Sequence, residues 1–294
     1  MLLRILLILC TVLLVIATLC TTLSWTGCPL SIIIGVTLLW GSLGAFTTLY
    51  FSQFVVISEL RARPISLSHA NALEIYLYEI TQDLSLRAEI NAVPTVAIYQ
   101  SPELNAFTLG SSRKNSMIFV SSGALHNMNE VKLQAMIAHE MAHIQNGDTI
   151  TLLLIQGIVN AFTVFIASVI SGSVIQLFEI FTKRVWVSRL KIWMYRVCLG
   201  LCMLFFTLFA NLLVAAFSRW REYRADKQSA LWVGQACMLD TLEQLHHAFE
   251  LQDENIPTFN MYKMIRRDNL LGLFATHPAI AKRIERVAAL HKES

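Results

Sequence analysis

Two long stretches without a charged residue constrain the fold of this chain more than any other feature. Ile5 to Ser58 and Thr149 to Phe178 contain no Asp, Glu, Lys or Arg. About twenty apolar residues are enough to cross a bilayer, and the first stretch is far too long for one buried core helix. Charged residues make up only 15% of the 294 residues, whereas a soluble domain has about 25%. The chain is therefore predicted to be a membrane protein.

Four apolar segments are long enough to be membrane helices. They cover about Ile5 to Leu23, Leu30 to Ser52, Ile150 to Leu177 and Val197 to Phe217. No A-x-A cleavage pattern follows the first segment, and a second apolar segment comes almost at once. We therefore interpret the N-terminus as an uncleaved anchor and not as a signal peptide.

The apolar segments divide the chain into four parts. Residues 1–55 are predicted to hold two transmembrane helices, and residues 149–217 a transmembrane or re-entrant helical hairpin. Residues 56–148 and 218–294 are predicted to be soluble, and neither has a sizeable core alone. Together they reach about 170 residues, a normal domain size. The simplest architecture is one domain built from both soluble parts, with the hairpin inserted between them.

Local patterns predict a mainly α-helical chain with a small β-sheet. Leu67 to Arg87 has helical apolar spacing, and the short runs TVAIYQ, NAFTLG and SMIFVS are typical of strands. Asn129 can cap a further helix that runs through Leu133 and Ile144. Gly147 can end this helix because glycine adopts the left-handed conformation easily.

The stretch AMIAHEMAHIQNGD, within that predicted helix, contains the pattern His-Glu-x-x-His at His139, Glu140 and His143. Four residues are just over one helical turn, so both imidazoles project from the same face and can reach one metal ion. Glu140 is adjacent and can reach water at the metal without being a ligand. The alternative is a solvated helix face that carries two histidines by chance.

A catalytic zinc needs three protein ligands and an open position, so a third ligand must come from elsewhere. The best candidate is Glu222 in SRWREYRADKQSA. Asp226 lies four residues later on the same predicted face, where it could accept a hydrogen bond from a ligand histidine and fix its tautomer. The alternative is a surface charge cluster with Arg219, Arg221 and Arg224.

Three histidines outside the motif compete for the third ligand position. His246 and His247 are adjacent on a predicted helix and cannot both point the same way. His277 lies in the sequence THP, at a predicted helix start. The spacing alone leaves the choice between these residues and Glu222 open.

The motifs NAFTLG, IAHEMAHIQNGD, SRWREYRADKQSA and THPAIAKRI together resemble the HtpX group of membrane zinc endopeptidases, which are relatives of the CAAX prenyl proteases. The resemblance covers essentially the whole chain, including the four apolar segments. It implies a zincin-type metalloprotease domain of the α+β class, fused to about four transmembrane helices. It also implies one zinc ion per subunit.

The resemblance assigns a role to each site residue. It implies that zinc is bound by His139, His143 and Glu222, that Glu140 is the general base, and that Asp226 is the carboxylate supporting a ligand. It implies that Asn105, Ala106 and Phe107 line the cleft and pair with the substrate backbone. It places His277, as a catalytic residue, and Arg283, as a substrate-binding residue, near the site.

The function expected from this resemblance is membrane protein quality control in the stress response. The chain would cleave misfolded or damaged membrane proteins as a multi-pass protein of the bacterial inner membrane, with its catalytic domain in the cytoplasm. Its partners would be unfolded or membrane protein substrates and the lipid bilayer. Nucleic acid is not expected as a partner, because no basic cluster is interleaved with aromatic residues.

Two other functions are weighed against this one. The first is an intramembrane protease whose His-Glu-x-x-His motif lies within lipid, but Glu222 lies in an arginine-rich segment outside an apolar run. The second is a non-enzymatic scaffold or transporter with a vestigial zinc site. The presence of Glu140, Glu222 and Asp226 argues against that alternative.

The distribution of basic residues predicts the orientation, with one conflict. Arg4 precedes the first segment, and Arg61 and Arg63 follow the second, which favours a cytoplasmic position for both termini and the soluble parts. The loop between the third and fourth segments should then face outward. That loop nevertheless carries four basic residues, Lys183, Arg184, Arg189 and Lys191. The sequence thus leaves open whether the hairpin crosses the membrane or only dips into it.

Overall fold

The computed structural model describes residues 53–182, 188–255 and 277–290. The first two predicted membrane segments, Ile5 to Leu23 and Leu30 to Ser52, lie outside these residues, as do Lys183 and Arg184 of the conflicting loop. The chain divides into two compact units. Among the described residues, one comprises Leu153–Val214, and the other comprises the described parts of Leu49–Leu152 and Ala215–Ser294.

The described part of the second unit is mainly helical with one small sheet. Its first half holds β1 (Arg63–Pro64), α1 (Ala72–Arg87), β2 (Thr95–Tyr99), β3 (Ala106–Ser112), β4 (Asn115–Ser121), α2 (Ser122–Asn127) and α3 (Glu130–Asn146). The long helices α4 (Asp148–Thr182) and α5 (Ser188–Val233) each run through both units, and α6 (Gln235–Asn255) and α7 (Ile280–Ala289) follow.

Helix α1 begins later than the sequence predicts. Its first residue is Ala72 and not Leu67, because Asn71 caps the helix. The Asn71 side chain accepts a hydrogen bond from the Glu74 N–H, and the Glu74 carboxylate accepts one from the Asn71 N–H. This reciprocal arrangement satisfies two backbone donors that have no partner inside the helix. A local side-chain signal therefore outweighs the apolar spacing, which extends further upstream.

The three predicted strands are all present and join β1 in a mixed sheet of order β1-β2-β4-β3. Strands β2 and β4 are parallel, whereas β3 pairs antiparallel with β4. Strand β3, which contains most of the NAFTLG motif, is at the edge of the sheet as far as the described residues go. One of its sides therefore has no partner strand among them.

Helix α3 lies at the centre of the second unit. Leu133, Ile137 and Met141 are buried against α1 and against the sheet residues Ile118 and Val120. Burying each such side chain contributes about 1.5–3 kcal/mol. Ala135, on another side of α3, packs against residues of α5, α6 and α7. The helix is therefore surrounded by protein along most of its length, which fixes the direction of the side chains that it carries.

Both predicted ends of α3 are confirmed. The Asn129 side chain accepts a hydrogen bond from the Lys132 N–H at the N-terminus. Gly147 has φ of 66° at the C-terminus, and its N–H donates to the carbonyls of His143 and Ile144. This left-handed residue separates α3 from α4, which starts at Asp148.

Helices α4 and α5 contain the third and fourth predicted membrane segments. They have 35 and 46 residues, or about 52 and 69 Å at 1.5 Å per residue. The stretches Asp148–Phe178 and Leu190–Val233 are long and apolar enough to cross a membrane. Large apolar side chains such as Phe162, Leu201 and Phe205 are exposed along them, as expected for a lipid-facing surface.

Candidate metal centre

The two motif histidines meet on one face of α3. Their Nε2 atoms are 3.2 Å apart, and the rings are nearly perpendicular. Both side chains are almost completely buried. The spacing of four residues on a helix therefore directs two imidazole nitrogens to one point, as the sequence predicts.

Glu222 of α5 approaches the same point from the opposite helix. Its two carboxylate oxygens are each 3.5 Å from a histidine, Oε2 from His139 Nε2 and Oε1 from His143 Nε2. The three residues form a group that could hold a metal ion, with one ligand atom from each. Of the candidates for the third ligand, Glu222 belongs to this group, whereas His246 pairs with Glu250 on α6.

The dimensions of this group fit a tetrahedral zinc ion. Zinc lies about 2.0–2.2 Å from nitrogen and oxygen ligands, so two ligands of a tetrahedron are about 3.4 Å apart. The two Nε2 atoms are 3.2 Å apart and each lies 3.5 Å from one of the two Glu222 oxygens, which is close to this value. The Oε1 atom of Glu222 is also buried and accepts no hydrogen bond from the described residues. A cation at this point would satisfy it, so the donor set and the geometry both fit zinc.

Asp226 and Arg283 hold His139 from behind. His139 Nδ1 donates to Asp226 Oδ1 at 3.0 Å. Arg283 of α7 donates to both oxygens of Asp226, from Nε at 2.8 Å and from Nη2 at 2.6 Å. Because Nδ1 faces Asp226, the Nε2 atom of His139 faces Glu222 and His143, and a metal that binds there leaves the remaining proton on Nδ1. Asp226 therefore lies beside a motif histidine, in the position that the sequence predicts for it.

Asp148 and Arg224 hold His143 in the same manner. His143 Nδ1 donates to Asp148 Oδ2 at 2.7 Å, and Arg224 of α5 forms an ion pair with Asp148 Oδ1. Asp148 is a site residue that the motif pattern does not predict. A signal was available, since Asp148 is the last charged residue before the uncharged run of α4 and follows the turn at Gly147.

The electrostatic environment keeps the acidic residues of the site ionised. Burial favours the neutral form of Glu222, but hydrogen bonds from His139 and His277 hold the pKa of its carboxyl well below the usual range. Burial would also raise the pKa of Asp226, yet Arg283 and His139 lower it to about 2. At neutral pH both carboxylates therefore carry negative charge, which favours a cation between the ligands.

The same carboxylates act on His139. Burial and the nearby Arg283 guanidinium lower the pKa of His139, but hydrogen bonds to Asp226 and Glu222 outweigh them and raise it to about 9. A metal ion that binds at Nε2 must therefore displace a proton, as is usual for histidine ligands.

Glu140 is held by a residue of the edge strand. Thr108 Oγ1 donates to Glu140 Oε2 at 2.9 Å, although the two residues are 32 positions apart. Glu140 is 8% exposed and lies next to the ligand His139 on α3. Thr108 belongs to β3, which places the edge of the sheet beside the proposed general base. The sequence predicts this strand, but it does not predict the contact that the Thr108 hydroxyl makes.

The predicted substrate-binding residues lie at the start of β3. Asn105 is exposed just before the strand, and Ala106 is its first residue. The ring of Phe107 stacks on Phe119 and belongs to the cluster on the sheet face opposite α3. Since side chains alternate along a strand, Phe107 points away from Glu140, and Thr108 points toward it.

The two remaining predicted residues come from the C-terminal segment. His277 Nδ1 is 3.4 Å from Glu222 Oε2, and its side chain is 61% exposed. Arg283 is largely buried in its ion pair with Asp226. The structure brings both residues to the metal centre, where His277 lies beside Glu222 and Arg283 lies beside Asp226 and His139.

Comparison with known proteins agrees with this geometry. The model of peptidase family M48 matches residues 71–291. The protease HtpX homolog of Methylacidiphilum infernorum is 36% identical over 253 residues, which are 83% of this chain and 81% of the relative. Protease HtpX of Haemophilus ducreyi is 35% identical over 86% of this chain and 85% of its own length. Protease HtpX of Buchnera aphidicola is 33% identical over 96% of this chain and 97% of its own length.

A solved structure shares the fold. The crystal structure of S. mikatae Ste24p aligns with a TM-score of 0.59 and 13% sequence identity, over 87% of this chain and 58% of that chain. At this identity the likeness concerns the fold alone. The sequence comparisons, together with the group of His139, His143 and Glu222 and the two long apolar helices, carry the functional conclusion. The chain belongs to peptidase family M48, as the HtpX-like motifs predict, and it is a membrane-bound metalloprotease.

Proposed function

We propose that the chain is a zinc-dependent endopeptidase that uses His139, His143 and Glu222 as metal ligands and Glu140 as general base. The observation that carries the proposal is the meeting of three ligand residues. The Nε2 atoms of His139 and His143 are 3.2 Å apart, and each lies 3.5 Å from one oxygen of the Glu222 carboxylate. Two histidines and one glutamate with an open fourth position form the ligand set of a catalytic zinc site. A vestigial site would not need to retain both this set and the adjacent carboxylate of Glu140.

Each residue then has a defined task in peptide hydrolysis. Zinc, when bound, supplies a Lewis acid that polarises the peptide carbonyl and activates water at neutral pH. Glu140 accepts a proton from the attacking water and passes it to the leaving amine. Thr108 holds the Glu140 carboxylate in position for both transfers. His277, whose Nδ1 lies 3.4 Å from Glu222 Oε2, would stabilise negative charge that develops on the carbonyl oxygen.

The edge strand β3 supplies a site for an extended substrate. The Ser121 N–H donates to the Asn105 carbonyl, so in this antiparallel pair Asn105 and Phe107 direct their backbone groups toward β4. The alternate residues Ala106 and Thr108 therefore direct theirs outward. A substrate strand can add at this edge by backbone hydrogen bonds, with little dependence on its side chains. Phe107 would then support the strand through its stack on Phe119.

Backbone recognition of this kind suits a broad range of unfolded substrates. We propose that these are misfolded or damaged membrane proteins, cleaved on the cytoplasmic side of the bacterial inner membrane. Helices α4 and α5 are each longer than the roughly 30 Å hydrocarbon core, which supports full crossing and a total of four spans. Arg61, Arg63 and Arg219 lie on the catalytic side of the predicted spans, in agreement with a cytoplasmic catalytic domain.

A comparison of the wild-type protein with Glu140→Gln tests the proposed mechanism. Both are purified as full chains in detergent, and zinc content and cleavage of casein are measured. The variant should keep its zinc because Glu140 is not a ligand, and should lose about 10²- to 10⁴-fold in cleavage rate. Equal cleavage by the two proteins would contradict the mechanism. Zinc binding without cleavage by either would favour the scaffold alternative.

A further inference from the structure

The two ligand histidines are held by two matched sets of residues from different parts of the chain. His139 donates to Asp226, which pairs with Arg283, and His143 donates to Asp148, which pairs with Arg224. We propose that Asp148 is a positioning residue for the metal centre, which fixes the tautomer and orientation of His143. The inference rests on the proposed zinc site and adds a residue that no sequence motif assigned to it.

The contact has the geometry that such a role requires. Asp148 is completely buried, and its Oδ2 atom is 2.7 Å from His143 Nδ1. A carboxylate can only accept at this position, so the proton of the neutral imidazole is on Nδ1. The Nε2 atom then has a free lone pair, and it is this atom that faces His139 Nε2 and Glu222.

Arg224 determines which oxygen of Asp148 faces the histidine. Its guanidinium pairs with Oδ1 and lies 4.6 Å from the ring centre of Trp220 on the same helix. Because Oδ1 is engaged by Arg224, Oδ2 is left for His143 Nδ1. The cation also offsets the cost of burying the Asp148 charge.

The chain path explains how Asp148 reaches His143. Gly147, with its positive φ, ends α3 and starts α4 at once, so Asp148 follows the last turn of α3. A carboxylate in the first turn of a helix is also favoured by the helix dipole. A purely structural role for Asp148 at the start of α4 is therefore the competing explanation that the experiment must separate.

The pair with Arg224 makes the Asp148→Asn variant informative. An asparagine has one oxygen and one amide nitrogen, and Arg224 can bond only to the oxygen. The amide nitrogen then faces His143 and donates to Nδ1, which forces the proton onto Nε2, where it blocks the metal. In the double variant Asp148→Asn/Arg224→Met the asparagine oxygen is free to turn back toward His143. Replacing Arg224 as well as Asp148 should therefore restore part of the metal affinity that Asp148→Asn alone loses.

The test measures metal binding by the full chain in detergent. Zinc affinity is determined by competition with a chromophoric chelator, and the visible spectrum of the cobalt(II)-substituted protein reports the ligand geometry. Asp148→Asn should bind zinc about 10- to 100-fold more weakly and change the cobalt spectrum. Arg224→Met should weaken zinc binding less than Asp148→Asn does, because the Asp148 carboxylate still accepts from His143 Nδ1, and the double variant should bind more tightly than Asp148→Asn. Asp226→Asn is the matched control at the other histidine.

The outcomes separate this inference from the proposed function. A wild-type protein that binds no zinc would remove the proposed zinc site itself. Zinc binding by wild type together with an unchanged affinity and spectrum for Asp148→Asn would overturn only the role of Asp148. Equal losses for Arg224→Met and Asp148→Asn would show that the ion pair acts structurally, which also overturns it. If Asp148→Asn does not fold, ¹⁵N NMR of the zinc-loaded wild type can locate the proton of His143. A proton on Nδ1 would support the role of Asp148, and its absence would overturn it.

Discussion

The hydrogen bond between Thr108 and Glu140 offers a direct test of how the edge strand takes part in catalysis. Replacing Thr108 by Val removes the hydroxyl but keeps the β-branched shape that suits a strand. The backbone groups of β3 are unchanged, so substrate addition at the edge should persist. The variant therefore isolates the contact between Thr108 Oγ1 and Glu140 Oε2.

The structure sets the size of the expected effect. The contact is 2.9 Å long, and its acceptor carboxylate is largely buried. A hydrogen bond to a charged group contributes about 1.5–3 kcal/mol, and each 1.36 kcal/mol corresponds to about a tenfold change in rate. If the bond is needed to orient Glu140 in the transition state, Thr108→Val should lower kcat/KM about 10- to 100-fold. Zinc content should not change, because the Thr108 hydroxyl bonds to Glu140, which is not one of the proposed ligands.

The assay follows cleavage of a fluorescent casein by zinc-loaded protein in detergent, with Thr108→Ser as the matched control. Serine keeps the hydroxyl and should stay within about threefold of wild type. In a Glu140→Gln background the Val substitution should have little further effect, since both changes remove the same function. A loss below threefold for Thr108→Val with normal zinc content, or fully additive losses in the double variant, would refute the positioning role.

Two further predictions concern the boundary of α3 and the metal. Gly147→Ala should destabilise the protein by about 1–2 kcal/mol, because its φ of 66° is unfavourable for a residue with a Cβ although nothing crowds that position. Gly172→Ala, in open space within α4, should instead be neutral or slightly stabilising in the same thermal unfolding assay, and equal losses at both glycines would contradict the backbone explanation. Removal of metal by a chelator should abolish cleavage. It should also lower the free energy of unfolding, by about 2.7 kcal/mol relative to protein in free zinc at a hundred times Kd, and the unfolding temperature should fall accordingly. Stoichiometric zinc should restore both, and an unfolding temperature that does not respond to zinc would argue against a built metal site.

The parts of the fold that depend on local sequence could be predicted from it. The cap at Asn129 and the left-handed Gly147 define α3 by contacts within a few residues. The strands were recognised by their β-branched and apolar content, and the long apolar runs by length alone. These features need no knowledge of the tertiary structure, because each is determined by neighbours along the chain.

The supporting residues of the site could not be predicted in the same way. Thr108 is 32 residues from Glu140, and Arg224 is 76 residues from Asp148. In the sequence Arg224 looks like part of a solvated charge cluster with Arg219 and Arg221, and only the packing of α5 shows its partner. The sheet order likewise depends on pairing between distant segments, which spacing along one strand does not determine.

The position of Asp148 explains why an uncharged run starts immediately after the metal-binding motif. The chain leaves the second unit along α4 and returns to it along α5. Each of these helices contributes residues to the site from the part that lies in the second unit. Asp148 is the first residue of α4, and Glu222, Arg224 and Asp226 lie on the part of α5 within that unit. Membrane helices have few positions where a charge is tolerated. Asp148, Glu222 and Asp226 instead lie near the ends of these helices in the second unit, where they surround two histidines. Changes at the start of α4 should therefore act on His143 through one hydrogen bond, and it is this contact that links the fold of the long helix to the chemistry of the site.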